Sequence, residues 1–500
     1  MVKSKVSVEN KSFLANVTEK YMSLTVLGLA LIVTDGYYNI TETKSIWFLS
    51  LSLMLTAAAI FSAVKSLKSK TLPDFRHSLS FTDYAILAFA GFNLLSALMS
   101  DYQSDVWFGS ASRYQGAAVL LIYAAVYFIV SRNYSLTRGF FGCCVFAFCA
   151  VCVLGVLNCF NIDPLGFYEI IGNDYKKLYI STIGNVNFYS SYLCLVFPLA
   201  VWCFCLAEKR KSLAVCTLAL IAGASGMMVS SSESFVAGFV PAVLLIPLLL
   251  PREAAAIKKY TVAVTLMTVT SQAFLLFYRL APVKNVALSA LLEKMTGMWE
   301  AVGIILVCTA VYLLVSFKPQ LIKICIMIYG VLLLIGAVTL VICFVLANTA
   351  DLSFMNGMFR ITDSWGTYRG EIWKQCIEAY GSLSVREKLF GVGPEALYRL
   401  IEALEVHGSR TLDQAHNEYL QFLLTSGVCG LLSYLTVIAS LFVTAIRSKS
   451  RIARGFLVCL TAYWIQATFN IAQPFTTPLM YIFISCLCTA AVNDRAVRDL

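Results

Sequence analysis

Long, nearly charge-free apolar runs recur from one end of this 500-residue chain to the other, and nothing else in it constrains the fold so strongly. The stretch "ICIMIYGVLLLIGAVTLVICFVLA" (324–347) is typical. Runs of about 18–25 apolar residues match the length an α-helix needs to cross a bilayer. Inside hydrocarbon every backbone N–H and C=O must pair within the protein, which leaves helices or a closed barrel. The runs are continuous rather than alternating, so a barrel is excluded. With 59% hydrophobic and 13% charged residues, the chain is expected to be an all-α polytopic membrane protein of roughly 12–14 transmembrane helices. The spans expected are 23–40, 45–64, 80–99, 116–132, 139–160, 186–207, 212–230, 234–250, 259–278, 297–316, 322–346, 417–446, 454–471 and 476–492.

Lysine and arginine cluster in alternate links. One set holds Lys65, Lys68, Lys70 and Arg76; Lys209, Arg210 and Lys211; Lys258 and Lys259; and Arg447, Lys449, Arg451 and Arg454. The other set, including "SSSES" and "NIAQPFTTP", is nearly bare. The positive-inside rule puts the basic set and both termini in the cytoplasm. The net charge of +10 then reflects dispersed anchors, which argues against a nucleic-acid surface. The first apolar run reads as a retained anchor rather than a cleaved signal. Of the 17 cysteines, nearly all fall inside spans; Cys376 alone lies in an outside loop, with no disulfide partner there. "CAVC" (149–152) has metal spacing but no histidine or acid beside it, so no metal site is expected.

Three domains follow: an N-terminal bundle (1–346), a large extracytoplasmic loop before the third-last helix (347–416), and the last helices (417–500). The loop is expected to be the only long non-membrane segment and to be partly helical. Ile372, Cys376 and Tyr380 recur at helical spacing within 367–380, and a second helix should run from Pro394 to Glu405 with proline in its first turn. Segment 417–446 is about 45 Å of helix, longer than a hydrocarbon core, so its first turn should emerge outside. That turn carries His416, Asn417 and Glu418, with Asp413 three residues before the imidazole and able to orient it. His416 is one of three histidines, and neutral imidazole is suited to general-base work. Equally, His416 and Asn417 could simply cap the helix. Arg113, Arg360 and Arg369 also fall on the outside, and a guanidinium fork is the side chain best matched to phosphate. Taken singly each arginine is an ordinary interfacial anchor; with His416 they suggest one diphosphate-binding site.

The order of "SRYQG" (112–116), "GNVNFYSSYL" (184–193), "YRGEIWKQC" (368–376), "FGVGPEAL" (390–397) and "AHNEYLQFLLTSGVCGLLSYL" (415–435) resembles the O-antigen ligase and O-antigen polymerase superfamily. The resemblance covers most of the chain in layout and is sharpest over roughly 360–435. It implies a glycosyltransferase in the cytoplasmic membrane of a bacterium, using no cofactor, metal or nucleotide. Such an enzyme moves a glycan from an undecaprenyl-diphosphate carrier to a hydroxyl on a glycan, lipid or protein acceptor. His416 would be the base and Arg369 a diphosphate ligand, with Arg113, Arg360, Asn417 and Tyr419 in support. One departure stands out: "VSSSESFVAGF" (229–239) has Glu233 where the family commonly has an arginine, a vacancy that Arg360 or Arg113 would have to fill. The competing expectations are a polytopic transporter or lipid flippase, and a non-catalytic scaffold. Few ionisable residues lie at membrane depth and no repeat is evident, which weakens the transporter reading.

Overall fold

The computed structural model describes residues 12–68, 79–109, 113–350, 359–404 and 412–492. Among these, the chain is an all-α polytopic membrane protein with one two-stranded hairpin. The first five long helices are α1 (Phe13–Leu31), α2 (Ile40–Lys68), α3 (Phe81–Met99), α4 (Ala117–Asn133) and α5 (Arg138–Cys159). After the hairpin β1 (Tyr179–Ile180) and β2 (Gly184–Asn185) come α6 (Val186–Leu206), α7 (Arg210–Met228), α8 (Glu233–Leu249) and α9 (Ala254–Leu280). A short α10 (Ala290–Met295) leads into α11 (Met298–Phe317) and α12 (Ile322–Thr349). The large loop contains α13 (Trp365–Ser382), α14 (Val385–Phe390) and α15 (Leu397–Ala403). The chain ends with α16 (Glu418–Thr425), α17 (Gly427–Arg447), α18 (Arg451–Gln466) and α19 (Thr476–Val492).

Ten of the helices are long and apolar enough to cross a membrane, and α4, α8 and α19 are shorter apolar helices. Local chemistry sets several starts. Ser80 and Asp83 form a reciprocal capping box on α3, and Ser12, Thr137 and Ser450 cap α1, α5 and α18. Helices α6, α18 and α19 form the buried centre. Small residues let them close on their neighbours: a Cβ on Gly238 of α8 would meet the Ala462 carbonyl of α18 at 2.6 Å, and one on Gly455 would meet the Trp202 ring at 2.5 Å. Helices α11 and α12 sit at the rim with mostly exposed apolar side chains, as expected of a surface solvated by lipid tails.

Four expectations are corrected. The first helix is Phe13–Leu31, not 23–40: Ser12 caps its start, Ile32 is extended at its end, and the left-handed turn at Asp35 and Gly36 separates it from α2, which begins at Ile40. The 347–416 loop is not the only long non-membrane segment: residues 160–185 form a second, built from two 3₁₀ turns and the hairpin. Helix α15 starts at Leu397, not Pro394, because Glu395 is left-handed (φ 63) and breaks the turn that proline would have begun.

The fourth correction concerns 417–446, which is two helices. Gly427, at φ 69, breaks the run, freeing the carbonyls of Leu424 and Thr425. The N–H groups of Val392 and Gly393 donate to them at 3.1 and 3.0 Å, and Ser96 Oγ donates to the Thr425 carbonyl at 2.6 Å. The glycines of "FGVG" therefore dock on the break. A Cβ on Gly391 would lie 2.3 Å from Thr425 backbone, and one on Gly427 2.3 Å from Leu389 backbone. No side chain fits where the two strands of backbone cross.

The loop helices share a small core with the ends of α3 and α4. Cys376, Ala379, Leu397 and Leu400 pack with Ala97, Val106 and Ala117, all buried. Cys376 is a free thiol in this core, as are all the cysteines. The loop is thus a folded cap held against one end of the bundle.

Candidate active site

Three chain segments converge at that end. Arg113 comes from the α3–α4 link, Arg369 from the start of α13, and His416 from the residues just before α16. All three line one open cavity of about 340 Å³.

Arg369 owes its position to a turn that helical periodicity does not reveal. The expected helix over 367–380 becomes regular only from residue 369, since Gly366, Thr367 and Tyr368 are all left-handed (φ 58, 63 and 72). Three such residues in succession, two with side chains, store strain of the kind found at functional sites. Arg369 Nη1 donates back to the Gly366 carbonyl at 2.6 Å, and a Cβ on Gly370 would strike the Thr362 carbonyl. Burial pulls the Arg369 pKa below its usual value, and Glu233 opposes that shift. The exposed Glu233 carboxylate, at the first turn of α8, is therefore close enough for its charge to act on Arg369, although it does not line the cavity.

His416 is also left-handed (φ 49), and Asn417 after it is extended. The Asn417 side chain accepts from the N–H groups of Tyr419 and Leu420 at 3.0 and 3.1 Å, so it caps α16. Trp373 Nε1–H donates to the Ala415 carbonyl at 3.1 Å, tying α13 to the residue before the imidazole. Burial first, then the charges of Arg369 and Arg113, push the imidazole down to about 4, with Asp413 opposing them. The ring is neutral at pH 7, as a proton acceptor must be.

Asp413 does not orient the ring. Its carboxylate accepts from Arg113 Nη2 in an ion pair whose arginine is the more buried partner. Tyr419 lines neither cavity at this end; its hydroxyl donates to the Trp464 carbonyl at 2.7 Å and joins α16 to α18. Arg360 is half-buried, has a partner of its own, and lies outside both cavity linings. Of the two arginines considered for the Glu233 vacancy, Arg113 is the one beside His416. Lys70, Arg76, the other two histidines (His77 and His407) and both chain ends lie outside the described residues.

The opposite wall was missed by sequence reasoning. Tyr37, Tyr38 and Thr41 reach it from the α1–α2 corner, and Tyr179, Asn185 and Asn187 from the hairpin and the start of α6. The one signal was "GNVNFYSSYL", quoted as a pattern but not as a site. Aromatic faces and amides together with a pair of guanidinium groups make a pocket suited to a ligand with one anionic and one polyhydroxylic part.

Residues 286–435 match the family model described as O-antigen ligase. No curated protein matches the chain. The matched segment contains the loop helices, the left-handed turn before Arg369, and His416 itself, and over these residues the chain is similar to the O-antigen ligase family.

Proposed function

We propose that the protein transfers a glycan from an undecaprenyl-diphosphate carrier to an acceptor hydroxyl at the outer face of a bacterial cytoplasmic membrane, as a cell-surface polysaccharide ligase or polymerase. The observation that carries this reading is the shared cavity of Arg113, Arg369 and His416 at one membrane end. The two guanidinium groups bind the diphosphate and stabilise the charge that grows on it as the sugar–oxygen bond breaks. His416 takes the acceptor proton as the new bond forms, and attack opposite the leaving group inverts the anomeric centre. The tyrosine and asparagine wall faces the sugars. No step in this scheme calls for a metal or nucleotide.

The test is reconstitution of the purified protein with undecaprenyl-diphosphate oligosaccharide and candidate acceptors, the product being weighed by mass spectrometry. His416→Ala is expected to insert normally and to lose transfer by about 10²–10⁴-fold, the usual worth of a general base. Near-normal turnover in that variant would remove His416 from the chemistry. Arg369→Lys should weaken donor binding, because a point charge cannot reproduce the forked contact. Substrate movement across vesicles that is unaffected by His416→Ala would instead favour a transporter.

A further inference from the structure

A second, smaller cavity also borders the imidazole. It has room for about 30 Å³ and is lined by His416 together with Gln115, Glu395, Gln414, Glu418 and Gln421. His416 belongs to the walls of both cavities, along with Asn470 and Ile471. The ring therefore borders both cavities.

The lining of this cavity is mostly apolar, with Leu120, Phe422, Ile471 and Met480 among it, but a few buried polar groups within it can hold a water. Gln115 is 5% exposed, its Oε1 accepts from the Tyr123 hydroxyl at 3.0 Å, and its Nε2 is buried without a partner. Gln421 likewise accepts from the Ala415 N–H at 3.0 Å and leaves a buried Nε2 unpaired. A space of this size holds a water when two or more polar groups reach it. Two unpaired amide donors and two carboxylate walls meet that requirement.

Glu395 is the carboxylate placed to use it. It is 8% exposed, and held in the left-handed region (φ 63) at the end of "FGVGPE". Its Oε2 accepts from Gln414 Nε2 at 2.9 Å, two residues before His416. Glu418 is already committed, since the Tyr463 hydroxyl donates to it at 2.6 Å. The other ionisable groups facing Glu395 are Arg113 and Asp413; those facing His416 are Arg369, Arg113 and Asp413. Tyr434 and Tyr481 complete the chamber wall.

We infer that one water in this chamber links His416 to Glu395 and that Glu395 receives the proton His416 removes from the acceptor. This rests on the transfer reaction proposed above. The acceptor O–H proton goes to the ring nitrogen in the open cavity. The opposite ring N–H passes its proton to the water, and the water gives one to a Glu395 oxygen, leaving neutral imidazole, water and a neutral carboxyl. Return of that proton through the water, and release of the first from the ring into the open cavity, resets the pair. Burial raises the Glu395 carboxyl to about 7, against the charge of Arg113 and the hydrogen bond from Gln414, while His416 is near 4, so the transfer runs downhill. Glu395 touches neither substrate and acts through His416 as a positioning residue.

Two readouts independent of turnover come first. An experimental density map that resolves water is expected to contain one within hydrogen-bonding distance of both His416 and Glu395; a chamber closed by side chains or dry overturns the inference. Burial raises Glu418 to about 7 as well, so infrared titration is expected to reveal protonated-carboxyl absorption with a midpoint near pH 7, one part of which disappears in Glu395→Gln and another in Glu418→Gln. Loss of the whole absorption in Glu418→Gln, with none lost in Glu395→Gln, would also overturn it. In the transfer assay, Glu395→Gln should lower kcat by about 10²-fold, leave the donor KM within twofold, and abolish the kcat limb near pH 7. Wild-type kcat and pH profile in that variant, or a defect confined to donor KM, refutes the relay. If wild-type protein transfers nothing, the transfer reading fails, and the map and the band still decide whether the water-linked pair exists.

Discussion

At the residue scale, the candidate site sets an imidazole beside two guanidinium groups in a poorly solvated corner. The positive neighbours and the burial both disfavour imidazolium, so the ring stays near 4 instead of 6.5. Removing the Arg369 charge by Arg369→Gln should raise the His416 pKa, seen as a shift of the acid limb of kcat/KM toward higher pH. An unmoved limb would mean that His416 is not the group titrating. The same depression has a consequence for stability. Between pH 6.5 and about 4 the unfolded chain binds a proton at His416 that the folded chain refuses, so this residue destabilises the fold as pH falls through that window and is neutral above it. His416→Gln should therefore narrow the drop in thermal midpoint between pH 7 and pH 4.5. An equal drop in both proteins would contradict the depressed value. The residue type at 416 and the arginines around it were legible in the sequence, because phosphate and proton chemistry call for those side chains. Glu395 and Gln115 were not: they lie within "FGVGPEAL" and "SRYQG", but nothing in those stretches marks either as a site, and only their place in the cavity beside the imidazole does.

At the element scale, the decisive feature is that α16 and α17 are separate. Periodicity saw one helix over 417–446 because apolar spacing runs through Ser426 and Gly427 without a fault. The break is made by a different part of the chain, the "FGVG" segment, whose N–H groups take the carbonyls that the broken helix releases. Gly427→Ala is expected to cost about 1–3 kcal/mol for the left-handed backbone alone, before the contact with Leu389 is counted. It should appear as a lowered midpoint in a thermal-unfolding assay of detergent-purified protein; wild-type stability would mean that the crossing is looser than described. Trp373→Phe should cost about 1 kcal/mol through its lost hydrogen bond to Ala415, and lower turnover more than donor affinity because the strand leading to His416 is loosened. Equal losses in both would assign Trp373 to the binding surface instead.

At the scale of the whole molecule, the loops at one end of the bundle build the candidate site, while the basic links lie at the other end. The positive-inside rule predicts that the site faces outward. An impermeant maleimide should label Ser364→Cys in intact cells and Lys449→Cys only after the membrane is opened; the reverse pattern would invert the topology. The hydropathy pattern found a run for each long helix because lipid imposes length and apolarity on every span separately. It misplaced the first and missed the 160–185 subdomain, whose hairpin is too short and too polar to stand out from a connecting loop.

What the amino-acid order determined by itself was the solvent this protein lives in, the helices that solvent demands, and the kinds of side chain able to handle an anion and a proton. These are local consequences, each set by a few consecutive residues against lipid or water. Tertiary structure alone decided that Arg113, Arg369 and His416 meet, that Asp413 serves the arginine and not the imidazole, and that a second, smaller cavity borders the ring. Residues 113 and 413 are 300 positions apart. Only the crossing of left-handed turns and glycine contacts, which no local periodicity encodes, brings them to one wall.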